Sequence, residues 1–84
     1  TTIEYDIPVD ADVILVIYDI LGRQVRTLVN TSQNAGYKSI RWNGMNDYGR
    51  NVSAGMYLYH LQTRQNTGKM ENSYSKVCKM ILLK

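Results

Sequence analysis

The sequence predicts an all-β domain, an antiparallel sandwich of about seven short strands. Three observations predict it. Strand-length stretches alternate between apolar and polar residues, and no helical period persists over ten residues. Turn signals rich in Gly and Asn separate those stretches at regular intervals. The composition is that of strands, with seven Tyr, one Trp, no Phe and many Val and Ile.

Residues 2–8 alternate, with Ile3, Tyr5 and Ile7 on one face and Thr2, Glu4 and Asp6 on the other. Pro8 closes this first strand, because it has no backbone N–H for a ladder. Residues 12–19 form the second strand, with Val13, Leu15 and Ile17 on one face. Ile14, Val16 and Tyr18 make the other face apolar as well, so this strand is either central or covered from outside. Leu21-Gly22-Arg23 is a hairpin signal, since glycine reaches positive φ at little cost. Residues 24–30 return as a third strand. There Val25, Leu28 and Val29 break strict alternation, which predicts a bulge. After a polar turn from Thr31 to Gly36, residues 37–42 give a fourth strand with Ile40 and Trp42 inward. A long loop runs from Asn43 to Ala54. Residues 56–64 are the fifth strand, with Tyr57, Tyr59 and Leu61 on one face and Met56, Leu58 and His60 on the other. A second polar hairpin region contains Asn66-Thr67-Gly68, and residues 73–83 form the last strand.

Eighty-four residues suffice for one small domain, spanning 1–84, with a thin margin of stability. No run approaches the length of a membrane span, so no membrane insertion is expected. The chain opens directly on strand residues without a signal peptide, and reads as a piece of a longer protein. The lone Cys78 cannot close an internal disulfide and reads as a small buried thiol. Charge is segregated. Residues 1–19 hold five acids and no base, a net of −5; residues 20–84 hold all ten bases and two acids, a net of +8. The bases form no run, which favours attraction between neighbouring strands over a nucleic-acid face.

Catalytic and metal chemistry finds little to build on. His60 is alone, with Cys78 its one soft companion, where a metal site needs several converging ligands. No acid near His60 in sequence orients it for a nucleophile triad. The loop from Asn43 to Gly49 is rich in oxygen but lacks the alternating carboxylates and terminal Glu of a calcium loop. Two readings stand for it: a weak cation held by Asn43, Asn46 and Asp47, or Asn and Asp side chains capping backbone turns around Gly44 and Gly49. The second needs fewer special conditions. Tyr18, Tyr37, Tyr48 and Tyr74 are candidates for exposed aromatics, and a planar row of them would mark a weak carbohydrate contact. The expectation is no enzyme, no cofactor and no bound metal.

The segment Tyr18-Asp19-Ile20-Leu21-Gly22-Arg23-Gln24-Val25-Arg26-Thr27-Leu28 resembles the Y-D-x-x-G-R-x-V-R-x-L strand–turn–strand of two related families. One is the FlgD-like immunoglobulin-like domain of the flagellar hook-capping protein. The other is the C-terminal sorting domain of type IX secretion substrates. A second stretch is similar to their shared loop: Gly36 through Trp42, then Asn43-Gly44, Asp47, Gly49, Val52, Gly55, Tyr57 and Tyr59. Asn43 and Asn46 stand where Asp is usual. The ending Lys79-Met80-Ile81-Leu82-Leu83-Lys84 resembles the basic–apolar–Lys tail of such domains. The resemblance implies an immunoglobulin-like, fibronectin III-like sandwich without catalysis, appended to a secreted multidomain protein. On the sorting branch it implies recognition of Lys79, Met80, Ile81, Leu82, Leu83 and Lys84 by the outer-membrane secretion machinery, with passage through the periplasm to the cell surface. On the other branch it implies a hook-capping assembly domain. A carbohydrate-binding module, and a passive domain packed on a parent enzyme through Ile14, Val16 and Tyr18, remain alternatives. Gly22, Trp42, Gly44, Gly49, Gly55 and Tyr57 are expected to be structural.

Overall fold

The alternation read from the sequence becomes layering. Along β1 (Thr2–Ile7), Ile3, Tyr5 and Ile7 are buried, while Thr2, Glu4 and Asp6 are exposed. A computed structural model describes residues 1–66 and 71–83, with no description of the side chains of residues 66, 71 and 72. Thr67 and Gly68 of the predicted hairpin, and Lys84 of the tail, lie outside the described residues.

Strand β1 pairs antiparallel with β4 (Gly36–Arg41) to make a two-stranded layer. The second layer has four strands in the order β3-β2-β5-β6. These are β2 (Ala11–Asp19), β3 (Gln24–Gln33), β5 (Gly55–Asn66) and β6 (Glu71–Leu82), all paired antiparallel. Six strands are present among the described residues, rather than about seven. Between Trp42 and Gly55 the chain makes no further strand. Its backbone groups close turns and one isolated bridge, Met45 to Asn51.

One apolar core lies between the layers. Ile3, Tyr5 and Ile7 of the small sheet meet Val13, Leu15, Ile17, Val29, Tyr57, Leu61 and Leu82 of the large one, with Trp42 at the end of β4. Strand β2 is central, which is why five of its residues are apolar in a row. The predicted bulge is present: Leu15 faces Val29 and Val16 faces Thr27, and a second shift follows between Ile17 and Tyr18. Leu28 and Val25 are thereby left without direct partners on β2, as the broken alternation requires. Gly22 turns β2 into β3 at φ 84°. A Cβ there would meet nothing within 4 Å, so the backbone angle rather than space demands glycine.

Candidate functional site

Two hydrogen-bonded loops shape one end of the sandwich. In the first, Asp19 accepts from the N–H groups of Leu21 and Arg23 through Oδ1 and from Arg23 Nε through Oδ2 at 2.8 Å. The backbone N–H of Arg23 is the largest influence holding the Asp19 carboxyl below its ordinary value; the guanidinium and the Leu21 N–H add to it against some burial. The Asp and Arg of the Y-D-x-x-G-R motif are thus turn clamps. Sequence reading gave a role there only to Gly22.

The second is the loop between β4 and β5. Trp42 is 1% exposed, donates Nε1–H to Met45 O at 2.9 Å, and meets the Tyr57 ring edge-on with centroids 5.1 Å apart. The Tyr57 hydroxyl donates to Ser53 O at 2.6 Å. Gly44 and Gly49 both sit at φ 78°, and Gly55 at 142°. The oxygens of the three candidate cation ligands all accept protein N–H groups. Asn43 Oδ1 accepts from Met45 N, and Asn46 Oδ1 from Tyr48 N and Arg50 N. Asp47 Oδ1 accepts from Thr27 N at 2.9 Å and Oδ2 from Gln24 Nε2, while Asp47 N donates to Val25 O. The loop is thereby laid along the outer edge of β3. Among the described residues, no group of three or more His, Cys, Asp and Glu comes together.

His60 and Cys78 do not meet. Residues directly opposite on paired strands share a face. His60 lies opposite Val77 and Cys78 opposite Tyr59, so the two groups occupy opposite faces. His60 contacts the Gln62 amide. A hydrogen bond with Cys78, then partial burial and the charge of the thiolate, push the Tyr59 hydroxyl up to about 12. The four candidate tyrosines are dispersed. Tyr18 lies half-buried on the outer face of β2, Tyr37 on the outer face of β4, Tyr48 at the loop tip and Tyr74 on β6. A hydrogen bond to Glu4, then burial, raises the Tyr37 hydroxyl.

The large sheet turns outward a mixed face, with apolar side chains set among Asp12, Asn30, Gln62, Arg64 and Lys79. Ile14 is 38% exposed, while its neighbour Val16 is 8% exposed and Tyr18 half-buried. The registers add Leu58 beside Tyr18, His60 beside Val16, Val77 beside His60 and Ile81 beside Met56. Met56, Val77 and Ile81 are exposed. The predicted recognition tail is largely strand. Lys79, Met80, Ile81 and Leu82 pair with Leu58, Tyr57, Met56 and Gly55, and Leu82 is buried in the core. Lys79, Ile81 and Leu83 remain accessible.

The family model described as the FlgD Ig-like domain matches residues 1–67. Among solved structures, the crystal structure of FlgD from P. aeruginosa is similar over 96% of this chain, with a TM-score of 0.73 and 27% identity. The chain spans 59% of that protein's chain. A search of curated proteins finds no match.

Proposed function

The chain belongs to the FlgD Ig-like domain family, and on that premise we propose that it is a non-catalytic assembly module of an exported protein, in the manner of a flagellar hook-capping domain. The observation that carries this reading is the family match over residues 1–67. The rest of the molecule is in keeping with it. Its conspicuous polar side chains, Asp19, Arg23, Asn46 and Asp47, are engaged in holding turns. Four of its accessible apolar side chains, Ile14, Met56, Val77 and Ile81, share the outside of the four-stranded sheet. A rigid sandwich with exposed apolar side chains on one outer face suits a part that is packed against other protein. The working surface is the outer face that carries Ile14, Met56, Val77 and Ile81 together with Tyr18, Leu58 and Lys79, and its partner is the remainder of a longer parent or a neighbouring subunit.

The test replaces Ile14, Val77 and Ile81 together by Thr in the full-length parent. These side chains are exposed, so the module should keep its fold. The expected result is loss of parent assembly with the module's own unfolding midpoint little changed; normal assembly by the folded triple variant overturns the reading. The sorting role expected for Lys79 to Lys84 requires a machine that reads the tail as a folded strand, since Leu82 is held in the core. Its probe is therefore Lys79→Gln with Leu83→Ser, scored by surface display, rather than removal of the tail.

A further inference from the structure

The sandwich is open along one side, and the two strands there carry opposite charge. Strand β1 has β4 on one side only. Thr1 exchanges both backbone bonds with Trp42. By antiparallel alternation Ile3, Tyr5 and Ile7 do the same with β4, leaving the N–H and C=O groups of Thr2, Glu4 and Asp6 aimed at the free edge. Strand β6 is likewise paired only with β5, in a register without shifts. The opposite edge of that sheet, β3, is blunted by two bulges and by the docked Asp47 loop. The β6 edge has no such cover among the described residues beyond Thr1 Oγ1, which reaches Ile81 O.

Both open edges lie on the same side of the molecule. The start of β1 touches Ile81, while Asp6 and Ile7 border a cavity of about 400 Å³ with Ser73 and Tyr74. Strands β1 and β6 therefore run antiparallel, one in each layer. A two-fold axis parallel to the strands, placed at this open side, exchanges the layers. It brings β1 of one copy beside β6 of the other, in antiparallel sense, twice. Counted from the Thr1–Ile81 contact, Glu4 comes level with Cys78, one residue from Lys79, and shares the outer face with Lys79.

From this geometry we infer that the chain self-associates as a two-fold dimer through reciprocal β1–β6 edge pairing. The occupant of each open edge is a second copy of the same chain. Each layer becomes a continuous sheet in the order β3-β2-β5-β6, then β1-β4 of the other copy. Backbone pairing gives the contact its affinity. Glu4 of β1, beside Lys79 on a β6 segment that has no acid from residue 73 to 83, fixes its direction. The inference does not depend on the assembly role, and the outer-face surface of that role stays uncovered.

Sedimentation of the 84-residue chain tests it, with Trp42 fluorescence reporting the fold of every variant. The parent should sediment at twice its 9.7 kDa and dissociate as salt rises. Lys79→Glu places like charges in both contacts, and so does Glu4→Lys; each variant alone should self-associate roughly tenfold or more weakly. Mixed in equal amounts, the two folded variants should recover the dimer, because both contacts then match. A parent that stays monomeric at its highest soluble concentration overturns the proposal. So do variants that dimerise as well as the parent, or a mixture that fails to reassociate.

Discussion

Asp19 and Tyr59 show how single groups tie the fold to pH in opposite directions. The Asp19 carboxyl sits below its ordinary value of 3.8 because the folded turn offers it the N–H groups of Arg23 and Leu21 and the guanidinium. A depressed folded pKa means that the unfolded chain takes up the proton first. The contribution is present above about the ordinary value and is lost as pH falls through the folded one. Asp19→Asn should therefore lie below the parent in urea midpoint at pH 7, and the gap should close in strongly acid buffer; a gap independent of pH would mean the charge is irrelevant to the turn. Tyr59 works the other way. Its hydroxyl is raised from 10.0 to about 12, so the folded state keeps a proton that the unfolded chain releases. Stability should fall as pH climbs through that interval. Tyr59→Phe should show a shallower alkaline decline than the parent across the same window, and equal slopes would assign the decline to the other tyrosines.

At the level of elements, β6 and the β4–β5 loop are the informative pieces. Strand β6 divides by face. Leu82 is 3% exposed, and Leu82→Ala should cost ~2–5 kcal/mol by the usual scale for buried leucines, a large share of what a domain this small has. Lys79→Gln on the other face should move stability by less than about 0.5 kcal/mol. Chemical denaturation of the two variants separates the faces, and equal losses would contradict the register. The loop acts at a distance, through Asp47 on the edge of β3. Asp47→Ala should cost about 1 kcal/mol by freeing the Thr27 N–H from its acceptor. Most of this fold was legible in the sequence because burial decides it. Ile3, Tyr5 and Ile7 alternate since one face must leave water, and Val25 and Leu28 betray the bulges by breaking that rule. Less legible was anything that joins residues distant in the chain. Asp47 reads as a turn residue or a cation ligand until Thr27, twenty positions away, is brought to it. The tail reads as the end of the last strand, yet that Leu82 is fixed in the core shows only once the two layers are brought together. Ile14 and Val16 share one face between β3 and β5, yet only Ile14 is accessible, a difference that their alternation in the sequence does not carry.

For the whole molecule, the layers are unequal, four strands against two, and the body measures 44 × 23 × 21 Å. The small layer can roof only part of the large one. Core residues gather where both layers overlap: Leu15 and Ile17 on β2, Leu61 and Tyr57 on β5, with Trp42 closing the end. Along β6 the same inward-facing positions change character. Leu82 is buried, Met80 and Cys78 are half-buried, and Lys76 and Tyr74 are exposed. Stability should follow this gradient rather than being uniform, since local opening needs only the loss of exposed contacts. Amides of Val13, Leu15, Ile17 and Leu61 should exchange hydrogen only through global unfolding, with the free energy that denaturation gives. At concentrations where the chain is monomeric, those of Ser73, Tyr74 and Ser75 should exchange at clearly lower free energy, with a weak dependence on denaturant. Trp42, the single tryptophan, touches both layers and should report the global step, so its fluorescence and the far-UV signal of the strands should fall together. Native-state hydrogen exchange measured residue by residue makes the comparison. Uniform protection from Leu82 to Ser73 would show that the far half of the ribbon is held as firmly as the core, and that the two-stranded layer stabilises more of the large sheet than it covers.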